Sequence, residues 1–134
     1  MKSYKISDHK ADLIIKGYGE TKKELFSNLL RGMMENQEPD TESRKAKREI
    51  KVKSSDSAAL LVDFLNEVLF LSQTHKEFYS KFEEDKLTET EIQGMLIGKA
   101  VKRWGKEIKA ATYHDLKVSQ KKGGKWEAQV IFDV

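Results

Sequence analysis

Apolar residues recur along this chain with two different periods. Leu25, Phe26, Leu29, Leu30, Met33 and Met34 follow an i, i+1, i+4, i+5 spacing, which gathers them on one face of a helix. Leu60, Leu61, Phe64, Leu65, Val68 and Leu69 repeat that spacing. Each stripe follows a start signal: Thr21-Lys22-Lys23-Glu24 has the form of a capping box, and Ser54-Ser55-Asp56 offers several N-caps. The other period is two. Arg48-Glu49-Ile50-Lys51-Val52-Lys53 alternates as a half-buried strand does. Strand-like runs also occupy 4–6, 13–18, 78–82, 92–97, 108–119 and 126–134. Lys121-Lys122-Gly123-Gly124 signals a hairpin turn between the last two. The stretch 35–47 is polar, aperiodic and holds the one proline, Pro39; it is expected to be a mobile loop. Residues 99–107 read as a basic, irregular connection. The sum predicts a single α+β domain over 1–134. Two amphipathic helices pack on one face of a six- or seven-stranded, mixed but mainly antiparallel sheet.

Composition narrows the chemistry. With 134 residues, 38% hydrophobic and 35% charged, the chain reads as one densely charged globule. The absence of cysteine excludes disulfides, thiol nucleophiles and thiolate metal sites. No signal-peptide core or membrane-length apolar run occurs, and a cytoplasmic location is expected. The net charge of +3 is unevenly placed: residues 99–125 hold nine Lys and Arg against Glu107 and Asp115. Such an excess can attract phosphates or an acidic partner, but a solvated charged surface is the plainer account, since no aromatic-interleaved nucleic-acid motif accompanies it. Direct RNA binding stays open on this basis.

The candidate chemistry lies in acidic residues at strand ends. Asp12 opens one strand and Asp133 closes another, with Val134 after it. A chain ending inside a strand is expected to have its terminus pinned, bringing the Asp133 side chain and the terminal carboxylate together. Such a pair of charges is costly without a neutralising cation or base. Carboxylate and carbonyl oxygens suit calcium or magnesium. Asp12, Asp133 and Val134 would supply them if the two strands are neighbours. The alternative is carboxylates capping strand ends or pairing with lysine. His9 is a weak zinc candidate without a second histidine at helical spacing. His114 shares its strand face with Ala110, Thr112 and Leu116, which predicts a partly buried, satisfied histidine. Gly17-Tyr18-Gly19 lacks the third glycine and the context of a dinucleotide fingerprint. No nucleophile or proton carrier stands out beside the acids, so the residues do not support an enzyme.

Four segments together resemble the archease family. Asp8-His9-Lys10-Ala11-Asp12 resembles its Asp/Glu-His-Thr-Ala-Asp start, and Leu60-Leu61-Val62-Asp63-Phe64-Leu65-Asn66-Glu67-Val68-Leu69 its second-helix signature. Ile108-Lys109-Ala110-Ala111-Thr112-Tyr113-His114-Asp115-Leu116 is similar to its Val-Lys-Ala-x-Thr-Tyr-His-x-Leu strand, and 126–134 to its ending. The resemblance implies a non-enzymatic activator of the RNA ligase RtcB, promoting guanylylation and multiple turnover. It also implies a divalent cation, calcium by expectation with magnesium or manganese as alternatives, held by Asp12, Asp133 and Val134. Lys109 is implied in activation of the partner. A chaperone or specificity factor for an RNA-modifying enzyme, such as a tRNA methyltransferase, is the alternative role. The sequence departs from the family pattern in three places. Lys10 replaces the usual threonine, Phe64 the common tryptophan, and residues 98–106 lack the Arg-His-containing connection of many members.

Overall fold

A computed structural model describes residues 3–9 and 12–134; of Asp8 and His9 it describes the backbone alone. Strands β1 (Tyr4–His9) and β2 (Asp12–Gly19) lead into helix α1 (Lys22–Asn36). Strand β3 (Pro39–Lys53) is followed by helix α2 (Ser57–His75). Strands β4 (Glu77–Leu87), β5 (Glu91–Trp104), β6 (Ala110–Gln120) and β7 (Trp126–Asp133) complete the order. The α+β class is as the periodicities predict.

The strands form two sheets, ordered β1-β2-β7-β6 and β3-β5-β4, and every pairing is antiparallel. The expectation of one mixed sheet with helices on a single face is thereby refined. The helices explain the division. Besides its stripe, α2 buries Val62 and Ser72, so its buried surface extends beyond the one face that the stripe marks. Each helix touches both sheets: α1 packs on β2 and β4, α2 on β6 and β3. Phe26, Phe64 and Phe82 join α1, α2 and β4, with ring centroids 5.7 Å and 5.2 Å apart.

Both helix starts follow their sequence signals. Thr21 Oγ1 accepts from the Glu24 N–H at 3.1 Å. The Glu24 carboxylate reaches back one residue further than in a capping box, to the Glu20 N–H. Asp56 caps α2 through the Ala59 N–H at 2.8 Å. At Gly17 and Gly19 the reason for glycine is close approach: an added Cβ would meet Leu29 Cγ and the Leu25 nitrogen at 2.5 Å each. Helix α1 can lie against β2 because those side chains are missing.

Two expected connections are regular structure instead. The stretch 35–47, expected as a mobile loop, is the end of α1 and the first part of β3. Its residues are polar because β3 is an edge strand that buries only Ala46 and Ile50 outright. A bulge between Thr41 and Lys45 interrupts its pairing with β5, and edge strands commonly carry such charge and bulges. Residues 99–104, expected to be irregular, belong to β5; the turn is confined to 105–109. Among the described residues no helix is long and apolar enough to cross a membrane.

Candidate functional site

The ladder between β2 and β7 sets Asp12 directly opposite Asp133. Side chains in that relation have Cβ atoms about 4.5–5.5 Å apart, and like charges there repel. Both residues are exposed, as is Val134. On the other side of β7, Ala110 of β6 is opposite Asp133, and the Lys109 N–H donates to the Asp133 carbonyl at 2.8 Å. The structure therefore brings Asp12, Asp133, Val134 and Lys109 to one end of three adjacent strands.

Two carboxylates facing each other across a ladder, with backbone oxygens beside them, fit a hard cation that prefers oxygen ligands. They do not fit a zinc centre built on histidine. Among the described residues, no three His, Cys, Asp or Glu side chains gather as a metal cluster, and no Lys or Arg forms an ion pair with Asp12 or Asp133. The backbone of His9 pairs with Asp12. The readings that rest on the His9 side chain and on Lys10 lie outside the described residues.

His114 corrects the expectation made for it. Its side chain is 74% exposed, 3.4 Å from Asp115. Alternation fails because β6 bulges: four residues, 113–116, stand between pairs that are only two positions apart on β7. Asp115 takes a left-handed conformation there, with φ 48°. The bulge also turns Tyr113 outward, where its hydroxyl donates to Asp63 of α2. The hydrogen bond to the Asp63 carboxylate raises the tyrosine pKa, with a smaller push from partial desolvation.

Three amides that the sequence reading did not single out for the site hold this end in place. Strand β6 is a sheet edge, so Ala111 has no strand partner on its outer side. Asn66 of α2 takes that role: its Nδ2 donates to the Ala111 carbonyl at 3.0 Å and its Oδ1 accepts from the Ala111 N–H at 2.7 Å. About two helical turns further on, Gln73 Nε2 donates to the Ile108 carbonyl at 3.1 Å. The Ile108 N–H donates to Gln37 Oε1 at 3.1 Å. These bonds flank Lys109 on both sides. Their partners are far apart in sequence and one member is always backbone, so no residue pattern announces them.

Residues 4–134 match the archease protein family (MTH1598/TM1083). Protein archease of Methanosarcina mazei is 35% identical, covering 99% of this chain and 97% of its own length. That of Pyrococcus abyssi is 32% identical with full coverage of both chains. Among solved structures, Methanobacterium thermoautotrophicum protein 1598 superposes with a TM-score of 0.73 at 26% identity, with both chains fully covered. An archease from Thermotoga maritima, described as a possible chaperone, gives 0.69 at 21% identity, covering 97% of this chain and 96% of its own, and supports the fold. The chain belongs to the archease family.

Proposed function

We propose that this protein is a non-enzymatic activator of an RtcB-type RNA ligase, acting in tRNA splicing or RNA repair through its acidic end. The observation that carries this reading is the placement of Asp12 opposite Asp133, with Lys109 bonded to the Asp133 backbone. Asp12, Asp133 and oxygens of Val134 hold a divalent cation, calcium by preference, with magnesium or manganese able to replace it. A cation on exposed oxygens supplies positive charge that a phosphate can share. The two carboxylates keep that charge at an exposed strand end, and Lys109, bonded there through its backbone, brings a further cationic side chain to the same end. The protein lends these charges to the ligase, which carries the nucleotide and the chemistry, and so promotes its guanylylation and repeated turnover.

The test is multiple-turnover ligation by the partner ligase, with this protein and with its Asp12→Ala and Asp133→Ala variants. Stimulation by the parent protein and its loss in both folded variants is expected. Undiminished stimulation by a folded Asp133→Ala protein refutes the acidic mechanism.

A second reading, a chaperone or specificity factor for an RNA-modifying enzyme, draws on the large apolar side chains left in solvent, Phe70 at 60% and Tyr113 at 56% exposure. It predicts that Phe70→Ser reduces the effect on the client while Asp133→Ala does not.

A further inference from the structure

One buried group has no partner among the described residues. Gln37, at the end of α1, is 3% exposed, and its Nε2 makes no hydrogen bond among the described residues. The amide cannot turn over to remedy this, because Oε1 is needed by the Ile108 N–H. The Gln37 backbone carbonyl is engaged too, accepting from the Gly105 and Lys106 N–H groups at 3.0 Å each. The turn after β5 is thus wrapped around this residue, and a donor is left over. Buried donors without a partner are rare in folded proteins, and a missing ligand or ion is one reason for them.

Gln37 lines a cavity of about 490 Å³ between the ends of β5 and α2. Trp104 and the cations Lys76, Lys102, Arg103 and Lys106 share its wall, with Glu107 as the one acid. Two of the four cations are engaged: Lys106 with Glu38 at 3.7 Å and Arg103 with Asp40 at 3.1 Å. Lys76 and Lys102 form no ion pair among the described residues. Lys76 is held in a left-handed conformation at the end of α2, with φ 55°.

We propose that this cavity binds a nucleoside phosphate, either a free nucleotide or the phosphorylated end of an RNA strand. The unpaired lysines meet the phosphate as charge-assisted donors. The Trp104 indole offers a flat apolar face for a base. The spare Gln37 amide nitrogen is buried in the wall of this cavity, and a ligand acceptor that reaches it satisfies it. The volume lies within the range of small-ligand sites. Phosphate alone would leave the indole unused, and a plain apolar ligand would leave the lysines and the amide unused. Gln37 and Gln73 of its lining also brace the acidic end through Ile108, but binding here needs neither the cation nor the ligase.

The test uses tryptophan fluorescence of the full chain during titration with adenosine 5′-monophosphate, adenosine, inorganic phosphate and a tetra-adenylate with or without a terminal phosphate. Saturable quenching by the monophosphate is expected, lost in Trp104→Phe, which keeps Trp126 as the remaining reporter. Affinity for adenosine is expected to fall at least about tenfold, and Lys102→Glu is expected to weaken the monophosphate equally. Gln37→Glu keeps the acceptor for Ile108, replaces the spare donor by an oxygen and should abolish binding. If that buried variant does not fold, exposed Lys102→Glu carries the test alone. Tighter binding of the phosphorylated tetramer than of the monophosphate identifies an RNA end, and equal binding identifies a free nucleotide. No saturation by either up to ~10 mM, or binding unchanged in Lys102→Glu, overturns the proposal. So does inorganic phosphate binding as tightly as the monophosphate.

Discussion

Asn66 stands where a strand should be. Its side-chain amide makes both hydrogen bonds that a neighbouring strand would make to Ala111, and Ala111 is 5% exposed. Replacing Asn66 by leucine keeps a side chain of similar length and removes both bonds. A hydrogen bond contributes about 0.5–1.5 kcal/mol net, and a buried group left without a partner costs about 1–3 kcal/mol. Two bonds at a partly covered edge therefore give a loss of about 2–3 kcal/mol for Asn66→Leu. Urea unfolding measures it as a lower midpoint at constant slope. Hydrogen exchange then locates it: the Ala111 amide should exchange far faster in the variant, while amides of the β2–β7 ladder keep their relative protection. The same variant frees β6 next to Lys109, so the Lys109 bond to Asp133 should fray with it. A stability within ~0.5 kcal/mol of the parent, together with an unchanged Ala111 amide, would refute the view that α2 serves as the missing strand.

Three more predictions concern separate parts of the molecule. Calcium should raise the melting temperature of the parent and not of Asp133→Asn; at a hundredfold excess over the dissociation constant the gain is about 2.7 kcal/mol, read by calorimetry with and without chelator. Gly98→Ala should destabilise by roughly 1–3 kcal/mol, because an added Cβ would run into the Phe78 carbonyl oxygen on β4; a neutral result in urea unfolding would mean that the β4–β5 ladder is looser than described. Glu77 is buried, and although burial alone pushes its pKa up, hydrogen bonds from Arg48 (2.9 Å) and Tyr79 (2.7 Å) outweigh this and hold it below the ordinary 4.5. A depressed carboxylate stabilises the fold above its unfolded pKa and ceases to do so as pH falls through the folded value. Unfolding scans between pH 6 and pH 3 should therefore show a steeper acid loss in the parent than in Glu77→Gln, and parallel curves would contradict the assignment.

The sequence was legible where one physical cause dominated. The i, i+4 stripes of α1 and α2 could be read because a buried helix face must recur at that spacing, and Thr21 and Asp56 because orphan amides demand an acceptor. From the sequence, the meeting of Asp12 with Asp133 is conditional on their strands being neighbours, and the register supplies that adjacency. Residues 39–47 were misread because an edge strand with little buried surface has the composition of a loop. His114 was misread because alternation assumes an unbroken ladder, and it lies within the bulge of β6. The division into two sheets depends on how much of α2 is buried, and the stripe showed only its strongest face. Gln37, Asn66 and Gln73 could not be found at all, since an amide that bonds distant backbone leaves no spacing to detect.

The pairing of β2 with β7 also bears on how the protein reaches its working form. The two aspartates are contributed by segments near opposite ends of the described chain, so their meeting is among the most non-local contacts in the molecule. Contacts of that kind are costly in chain entropy and slow to establish, because almost the entire polypeptide must be arranged before they form. A partly folded or truncated chain can display α1 and its neighbouring strands yet has no paired aspartates to offer. A partner that bound the paired aspartates would therefore bind finished molecules and ignore the rest.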